Sequence, residues 1–240
     1  VLRNYYESIE NHKEILKLQR ELAAVTSQLK SRVKADLSRF SKYAFLWSED
    51  RNATYERFLA STPGIEAFEN ELGRYEGLRR EIEDLAAVVV IGAVALDYGE
   101  LKRALSSEAV GWKQFYGDNL KIKSHQEMNE LVAFFDESTV KLNRQLNDLD
   151  DIRAVMDVLA ELRKEETSIS MKITPIEETY SLLNHYSIRY SKEEADAADN
   201  LRYSWKKLKM GLAIAKQAEL SKLQPKFKKE LLRSVEAFED

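Results

Sequence analysis

The sequence predicts an all-α protein, built as elongated tandem helical bundles with long antiparallel helices. Three observations carry that reading. Only 8 glycines and 3 prolines occur in 240 residues, so helix breakers are scarce. Hydrophobic residues make up 44% and charged residues 32%, enough for a core beneath a heavily charged surface. Apolar residues recur at spacings of three and four along most of the chain, which places them on one stripe of a helix. The one dense β-branched run, Val88-Val89-Val90-Ile91, reads as too short to found a sheet.

Residues 2 to about 60 read as one very long helix. Its apolar face is marked by Leu2, Tyr5, Ile9, Ile15, Leu18, Leu22, Val25, Leu29, Val33, Leu37, Phe40, Ala44 and Trp47, then by Tyr55, Phe58 and Leu59, with no Pro or Gly inside. From Ile15 to Leu29 the spacing alternates three and four, a heptad stripe. Leu29, Val33 and Leu37 then add a stutter that relaxes any left-handed supercoil. Such a helix would be about 90 Å long, so a rod is expected.

Thr62-Pro63 reads as an N-cap with Pro in the first turn, where the missing N–H costs nothing. A second helix then runs to about Leu85 through Ile65, Phe68, Leu72, Tyr75, Leu78 and Ile82. Residues 86–96, with Gly92, form an apolar connection. Loops are normally polar and exposed, so this one is expected to press into a groove between helices. Replacing Val90 or Ile91 by Asp should then lower the melting temperature.

Asp97 with Glu100 has the spacing of a capping box. It opens a third helix through Leu101, Leu105, Trp112, Tyr116, Leu120, Met128, Leu131, Phe135, Leu142 and Leu146, where Gly111 and Gly117 predict a bend or break near 117–124. Asp148 with Asp151 starts a fourth helix, through Ile152, Val155, Leu159, Leu162 and Ile169. Thr174-Pro175-Ile176-Glu177 opens a short one to about Tyr186. Ser191 and Glu194 repeat the capping box before a last long helix with Leu201, Trp205, Leu208, Leu212, Leu223 and Leu231, which Pro225 should kink or break near Leu223. Short connections between five or six helices imply antiparallel neighbours. The expected division is a long-helix bundle with its apolar connection over 1–96 and a second helical bundle over 97–240. Both ends fall inside periodic segments, so the two are expected to be parts of one rod in a longer polypeptide.

Chemistry is hard to find. The net charge of -4 interleaves both signs, which gives no reason to invoke nucleic acid or an anionic membrane. There is no cysteine, hence no disulfide or thiolate site. The longest apolar stretch, residues 85–96, is far short of the roughly 20 residues of a membrane span. No glycine begins a G-x-x-x-x-G-K-[ST] or G-x-G-x-x-G pattern that would cradle phosphates. His12, His125 and His185 fall on three different predicted helices without an H-E-x-x-H pair. Carboxylate groups such as Asp148-Asp150-Asp151 and Glu165-Glu166 read as caps and solvated faces. No catalytic residue, metal site or cofactor is expected.

Two features remain. Between Arg202 and Lys229 stand nine basic residues, Arg202, Lys206, Lys207, Lys209, Lys216, Lys222, Lys226, Lys228 and Lys229, against one acidic residue, Glu219. Such a stripe either docks an acidic partner, Arg202, Lys206, Lys207, Lys209, Lys226, Lys228 and Lys229 being the candidates, or is a solvated face paired with the acidic stretch 148–166. Trp47, Trp112 and Trp205 each fall on an apolar stripe, where packing in a core is the expected role.

Three blocks bring a resemblance. Asp148-Leu149-Asp150-Asp151-Ile152-Arg153-Ala154-Val155-Met156, then Pro175-Ile176-Glu177-Glu178-Thr179-Tyr180-Ser181-Leu182-Leu183-Asn184, then Leu201-Arg202-Tyr203-Ser204-Trp205-Lys206-Lys207-Leu208, together resemble the tail of axonemal dynein heavy chains, nearest to the outer-arm gamma type. The resemblance covers residues 85–240 well and 1–84 only by helical character. It implies a non-catalytic segment of a motor chain whose ATPase ring lies elsewhere, located in the axoneme of a cilium or flagellum. The implied partners are dynein intermediate chains, light chains and neighbouring heavy chains, with a role in force transmission and subunit docking. Trp112, Pro175, Tyr180, Leu183 and Trp205 are the residues expected to matter structurally. Periodicity alone would also allow an unrelated spectrin-like cytoskeletal adaptor bundle, which a tandem repeat near a hundred residues would favour. No such repeat is visible.

Overall fold

The heptad stripe forms a helix, but a shorter one than the spacing predicts. A computed structural model describes residues 9, 12–146, 149–223, 225 and 228. In it α1 runs over Lys13–Ser38. At Arg39–Tyr43 the backbone tightens into a 3-10 turn. A single helical turn follows at Phe45–Ser48, and Glu49 leaves the helix at φ -91°, ψ 139°. Asp50 then caps α2 (Arg51–Leu59), its carboxylate accepting the N–H of Asn52 at 2.8 Å. The expectation of one helix to residue 60 is corrected at this point. The reason lies in hydrogen bonding: the last turn of a helix leaves its carbonyls without donor partners, and here the carbonyl of Leu46 takes the indole N–H of Trp112 at 2.8 Å. Phe40, Tyr43 and Leu46 are buried at the same bend.

The break also divides the expected apolar face. α1 buries none of its residues, and Leu18, Leu22 and Val25 stay 63%, 68% and 61% exposed. Trp47, expected in a core, is 56% exposed. The break at Glu49 and Asp50 ends its stripe.

Thr62-Pro63 closes α2 rather than opening the next helix. Thr62 is left-handed, at φ 49°, and its N–H donates to the carbonyl of Leu59 at 2.9 Å. A Pro just beyond a helix end stops it for the same reason that Pro suits a first turn: it has no N–H to continue the ladder. α3 begins two residues later and spans Ile65–Asp84.

The apolar connection is a β-hairpin. β1 (Val88–Ile91) and β2 (Val94–Asp97) pair antiparallel, Val88 opposite Asp97 and Ile91 opposite Val94. Gly92, at φ 63°, supplies the glycine-first pattern of a II′ turn. The run of four β-branched residues therefore does found a sheet, although of two strands only. Strand alternation sends Ile91 inward, 8% exposed, and turns Val88 and Val90 outward, 56% and 70% exposed. The connection is thus only half pressed inward, with Gly92 against Leu29 of α1. Tyr98 ends the hairpin, its hydroxyl donating to Asp36 at 2.6 Å and its ring 5.0 Å from Phe40.

α4 (Gly99–Leu142) is unbroken over 44 residues, so the expected bend near 117–124 is absent. Its glycines serve close approach instead. At Gly117 an added Cβ would lie 2.6 Å from Cγ1 of Ile188. α5 (Leu149–His185) brings Ile188 to that notch. Beyond His185, Ser187 turns left-handed at φ 57°, and the N–H of Ile188 reaches back to the carbonyl of Leu183 at 2.9 Å while that of Ser187 reaches Asn184 at 3.1 Å. This is a Schellman ending, and it delivers Ile188, 3% exposed, into the groove that Gly117 leaves open.

Pro175 sits inside α5, so the separate helix expected to start there does not exist. Ile169, Ile173, Ile176, Tyr180 and Leu183 are buried in one stripe on both sides of it, while Pro175 itself is exposed. Packing of that stripe outweighs the one ladder bond a proline removes. The expected start at Asp148 lies outside the described residues. α6 (Lys192–Lys206) opens on the predicted capping box of Ser191 and Glu194, then widens into a π-helical segment at Lys207–Ala213. Pro225 is helical, with residues 224, 226 and 227 around it outside the described set. The all-α class holds, with one small hairpin.

The contacts group the chain into two units, residues 1–62 with 73–113 and residues 63–72 with 114–240. The first is centred on Tyr43, Leu46, Tyr75 and Trp112, the second on Leu120, Met128, Ile173, Ile176 and Leu183.

Thermal melts of three variants test these assignments. Ile91→Asp should lower the melting temperature by several degrees, while Val90→Asp, on the outward face, should leave it nearly unchanged. Gly117→Ala should destabilise by about 1–3 kcal/mol through overpacking, since Ile188 is buried and has nowhere to retreat.

Candidate partner-binding face

In the first unit the polar side chains around Trp112 are tied to one another. Trp112 is fully buried; its ring stacks on Tyr75 at 5.5 Å and 12°, and the Arg51 guanidinium lies 5.6 Å from its centroid. Arg51 in turn pairs with Glu108 at 2.6 Å. Below this, Glu76 of α3 accepts from Arg79 at 2.7 Å and from Lys113 of α4 at 3.0 Å. The Arg79 hydrogen bond, with Lys113 adding to it, holds the Glu76 carboxyl down at about 2, against a burial effect that would raise it. Lys42 and Tyr43 both donate to Glu81. The group is a tie between elements with no free acid or base.

In the second unit the predicted basic stripe lies along α6 and the π-helical segment. α6 forms because Ala198, Leu201 and Trp205 bury one side, with Leu208 continuing the stripe. Trp205 stacks on Phe135 of α4 at 5.4 Å and 21°, which fixes the rotation of the helix. The acidic residues Glu193 and Glu194 sit in its first turn, where the dipole favours them. Glu194 also approaches Nδ1 of His125 at 3.4 Å.

That rotation sorts the stripe. Arg202 grips Glu177 of α5 with three bonds, at 2.9, 3.2 and 2.5 Å, and reaches Thr174 at 3.3 Å. Lys209 pairs with Glu166 of α5. Lys216 is 8% exposed, donating to the carbonyl of Arg144 at 2.9 Å and pairing with Glu219. These three hold the bundle together. Lys206, Lys207 and Lys222 are exposed and form no ion pair among the described residues. Lys228 is also exposed, and Lys226 and Lys229 lie outside the described residues. The stripe is therefore divided: part of it is engaged within the bundle and part is exposed.

The structural residues divide similarly. Trp112, Trp205 and Leu183 are buried, at 0%, 6% and 0% exposure. Tyr180 is 5% exposed and meets Tyr190 edge-on at 5.4 Å. Burial, with Glu194 nearby, pushes its hydroxyl up to about 12. Pro175 is the exposed one. Among the described residues no three His, Asp or Glu side chains gather as a metal site, and no helix is long and apolar enough to cross a membrane. The Gly-x turn at Gly92-Ala93, flanked by apolar runs, is the signal that would have revealed the hairpin from sequence.

Comparison with known proteins gives a consistent result. Residues 117–234 match the family described as dynein axonemal heavy chain 2/5/8 coiled-coil. The chain is 38% identical over 239 residues to human dynein axonemal heavy chain 8, covering 100% of this chain and 5% of the relative. It is 38% identical over 236 residues to mouse dynein axonemal heavy chain 5, 98% of this chain and 5% of the relative. It is also 38% identical over 234 residues to the dynein gamma chain of the flagellar outer arm of Chlamydomonas reinhardtii, 98% of this chain and 5% of the relative. The chain thus spans about a twentieth of the length of the relatives it matches.

One titration tests the tie at Glu76. Its carboxyl is held at about 2 in the folded chain against an ordinary 4.5, so its stabilising contribution is complete above the ordinary value. It is lost as pH falls from about 4.5 towards 2. Glu76→Gln should flatten that part of the stability-versus-pH curve, as followed by urea denaturation at a series of pH values.

Proposed function

Because the chain belongs to the axonemal dynein heavy-chain family, we propose that it is a tail segment of such a motor. In this reading it transmits force and docks partner subunits on axonemal microtubules. The segment itself does no chemistry: the ATPase ring lies in another part of the heavy chain. The observation that best supports this is the arrangement of α4, α5 and α6. Two helices of 44 and 37 residues are tied to a third by Trp205 on Phe135, Arg202 on Glu177 and Lys209 on Glu166. Load along a helix is borne by its continuous backbone ladder. Load between helices is borne by buried apolar seams, worth about 25 cal/mol per Å², and by geometrically defined Arg–carboxylate pairs.

The partners in this reading are dynein intermediate chains, light chains and neighbouring heavy chains, met in the axoneme. Lys206 and Lys207 are the exposed residues best placed to meet an acidic partner. Their neighbours Arg202 and Lys209 are already engaged within the bundle, so Lys206 and Lys207 form an adjacent open pair where α6 meets the π-helical segment.

The test is capture from an axonemal extract on the immobilised 240-residue chain. Dynein subunits should be recovered, and Lys206→Glu/Lys207→Glu should reduce that recovery several-fold without altering the far-ultraviolet circular dichroism. Recovery of no dynein subunit, or ATP turnover by the purified chain above a blank, would reject the assignment.

A further inference from the structure

The second unit carries a groove of about 880 Å³ between the start of α3, the middle of α4 and the middle of α5. Its floor is apolar: Phe68, Leu131 and Ile169 are buried there, and Phe134 is half-buried beside them. Its walls are acidic. Glu127 and Glu130 stand on α4 and Glu161, Glu165 and Glu178 on α5, against only Lys123 and Lys172.

None of those five carboxylates forms a salt bridge among the described residues, whereas Glu166 and Glu177, on the part of α5 turned to α6, are taken by Lys209 and Arg202. The bundle neutralises one face of α5 and leaves the other charged. A second, independent sign of an unfilled site is Ser124. It lines the same groove, is 3% exposed, and its hydroxyl has no hydrogen-bond partner. A helical serine normally satisfies itself on the carbonyl four residues back, and a buried hydroxyl left alone is costly.

From this we infer that the groove is a docking site for a single amphipathic helix of a partner protein, apolar along one edge and carrying Lys or Arg on both flanks. The inference stands beside the tail reading and does not depend on the stripe of α6. The lining of α5 from Glu161 to Thr179 is about 27 Å long, which an occupant of about 18 helical residues would span. A helix is the right conformation because the walls are helices with no free sheet edge. An extended peptide would find nothing there to pair its backbone N–H and C=O groups. A third helix lays its ridge between the other two. The floor takes its apolar edge and the five carboxylates take its flanking cations.

α1 of a second copy is the wrong helix for this site. Its exposed seam of Leu18, Leu22 and Val25 is flanked by Glu14 and Glu21, while Lys17 and Arg20 lie towards its far side. Docked seam-down, it would bring carboxylates against carboxylates.

The experiment uses the whole 240-residue chain and a fluorescein-labelled synthetic peptide of ~18 residues, with leucine on one edge and lysine on the flanks. Binding is followed by anisotropy at low and high salt. The lysine peptide should bind, more weakly at high salt, and its glutamate-flanked isomer should not. Glu127→Lys/Glu165→Lys should weaken binding by about tenfold or more. The control pair Glu193→Lys/Asp199→Lys makes the same change in net charge on the exposed side of α6 and should leave binding within about twofold. Circular dichroism checks that all variants fold. Equal loss in both pairs would show attraction to net charge rather than to the groove and would overturn the inference. Equal binding of the glutamate isomer would do so too. Self-association in sedimentation velocity that Glu127→Lys/Glu165→Lys abolishes would give the groove to a second copy, and would equally overturn it.

Discussion

A buried indole must find an acceptor for its N–H, and in this chain that requirement shapes everything before the hairpin. Trp112 is fully enclosed, and the acceptor it finds is the carbonyl of Leu46. In an unbroken helix that carbonyl would be occupied by the N–H four residues ahead. The chain leaves the helix at Glu49, restarts at Asp50 with a side-chain cap, and so offers a free carbonyl inside the core. Stacking on Tyr75 and the approach of Arg51 complete the enclosure. The same site accounts for the loss of a 60-residue helix and for the burial of Phe40, Tyr43 and Leu46 around the bend.

The second unit is organised by shape rather than by a hydrogen bond. α4 has a notch at Gly117, and the left-handed Ser187 at the end of α5 aims Ile188 into it. With that end fixed, α5 keeps its buried stripe continuous past Pro175. α6 is then locked by Trp205 and Phe135. Charges follow this packing. Arg202, Lys209 and Lys216 turn inward to partners on α5 and its approach, and Lys206, Lys207 and Lys222 are left outside. A basic stripe that looks uniform as a string of letters is thus two populations with different physical roles.

In the tail reading proposed above, such an arrangement suits interfaces that bear load. Long ladders of backbone hydrogen bonds resist extension, and buried aromatic stacks resist sliding of one helix past another. The charges that the bundle does not use internally stay on its surface: the cations Lys206, Lys207 and Lys222, and the carboxylates around the groove between α4 and α5.

The sequence by itself determined the helical class, the capping box at Ser191 and Glu194, the burial of Trp112 and Trp205, and the family. Each of these is local or periodic: a cap needs only its own turn, a stripe only its spacing, and the three quoted blocks only their order. Tertiary structure alone decided where helices stop. Trp112 reached back 66 residues to interrupt the N-terminal helix, buried isoleucines carried α5 through a proline, and Ile188 explained a glycine that spacing read as a bend. The hairpin lay between these cases. Its Gly92-Ala93 turn was written in the chain, but a four-residue β-branched run acquires a sheet only when Leu29 and Tyr98 give one of its faces something to cover. Spacing says which residues share a face; it does not say what that face will meet, and the free energy that breaks or continues a helix comes from the meeting.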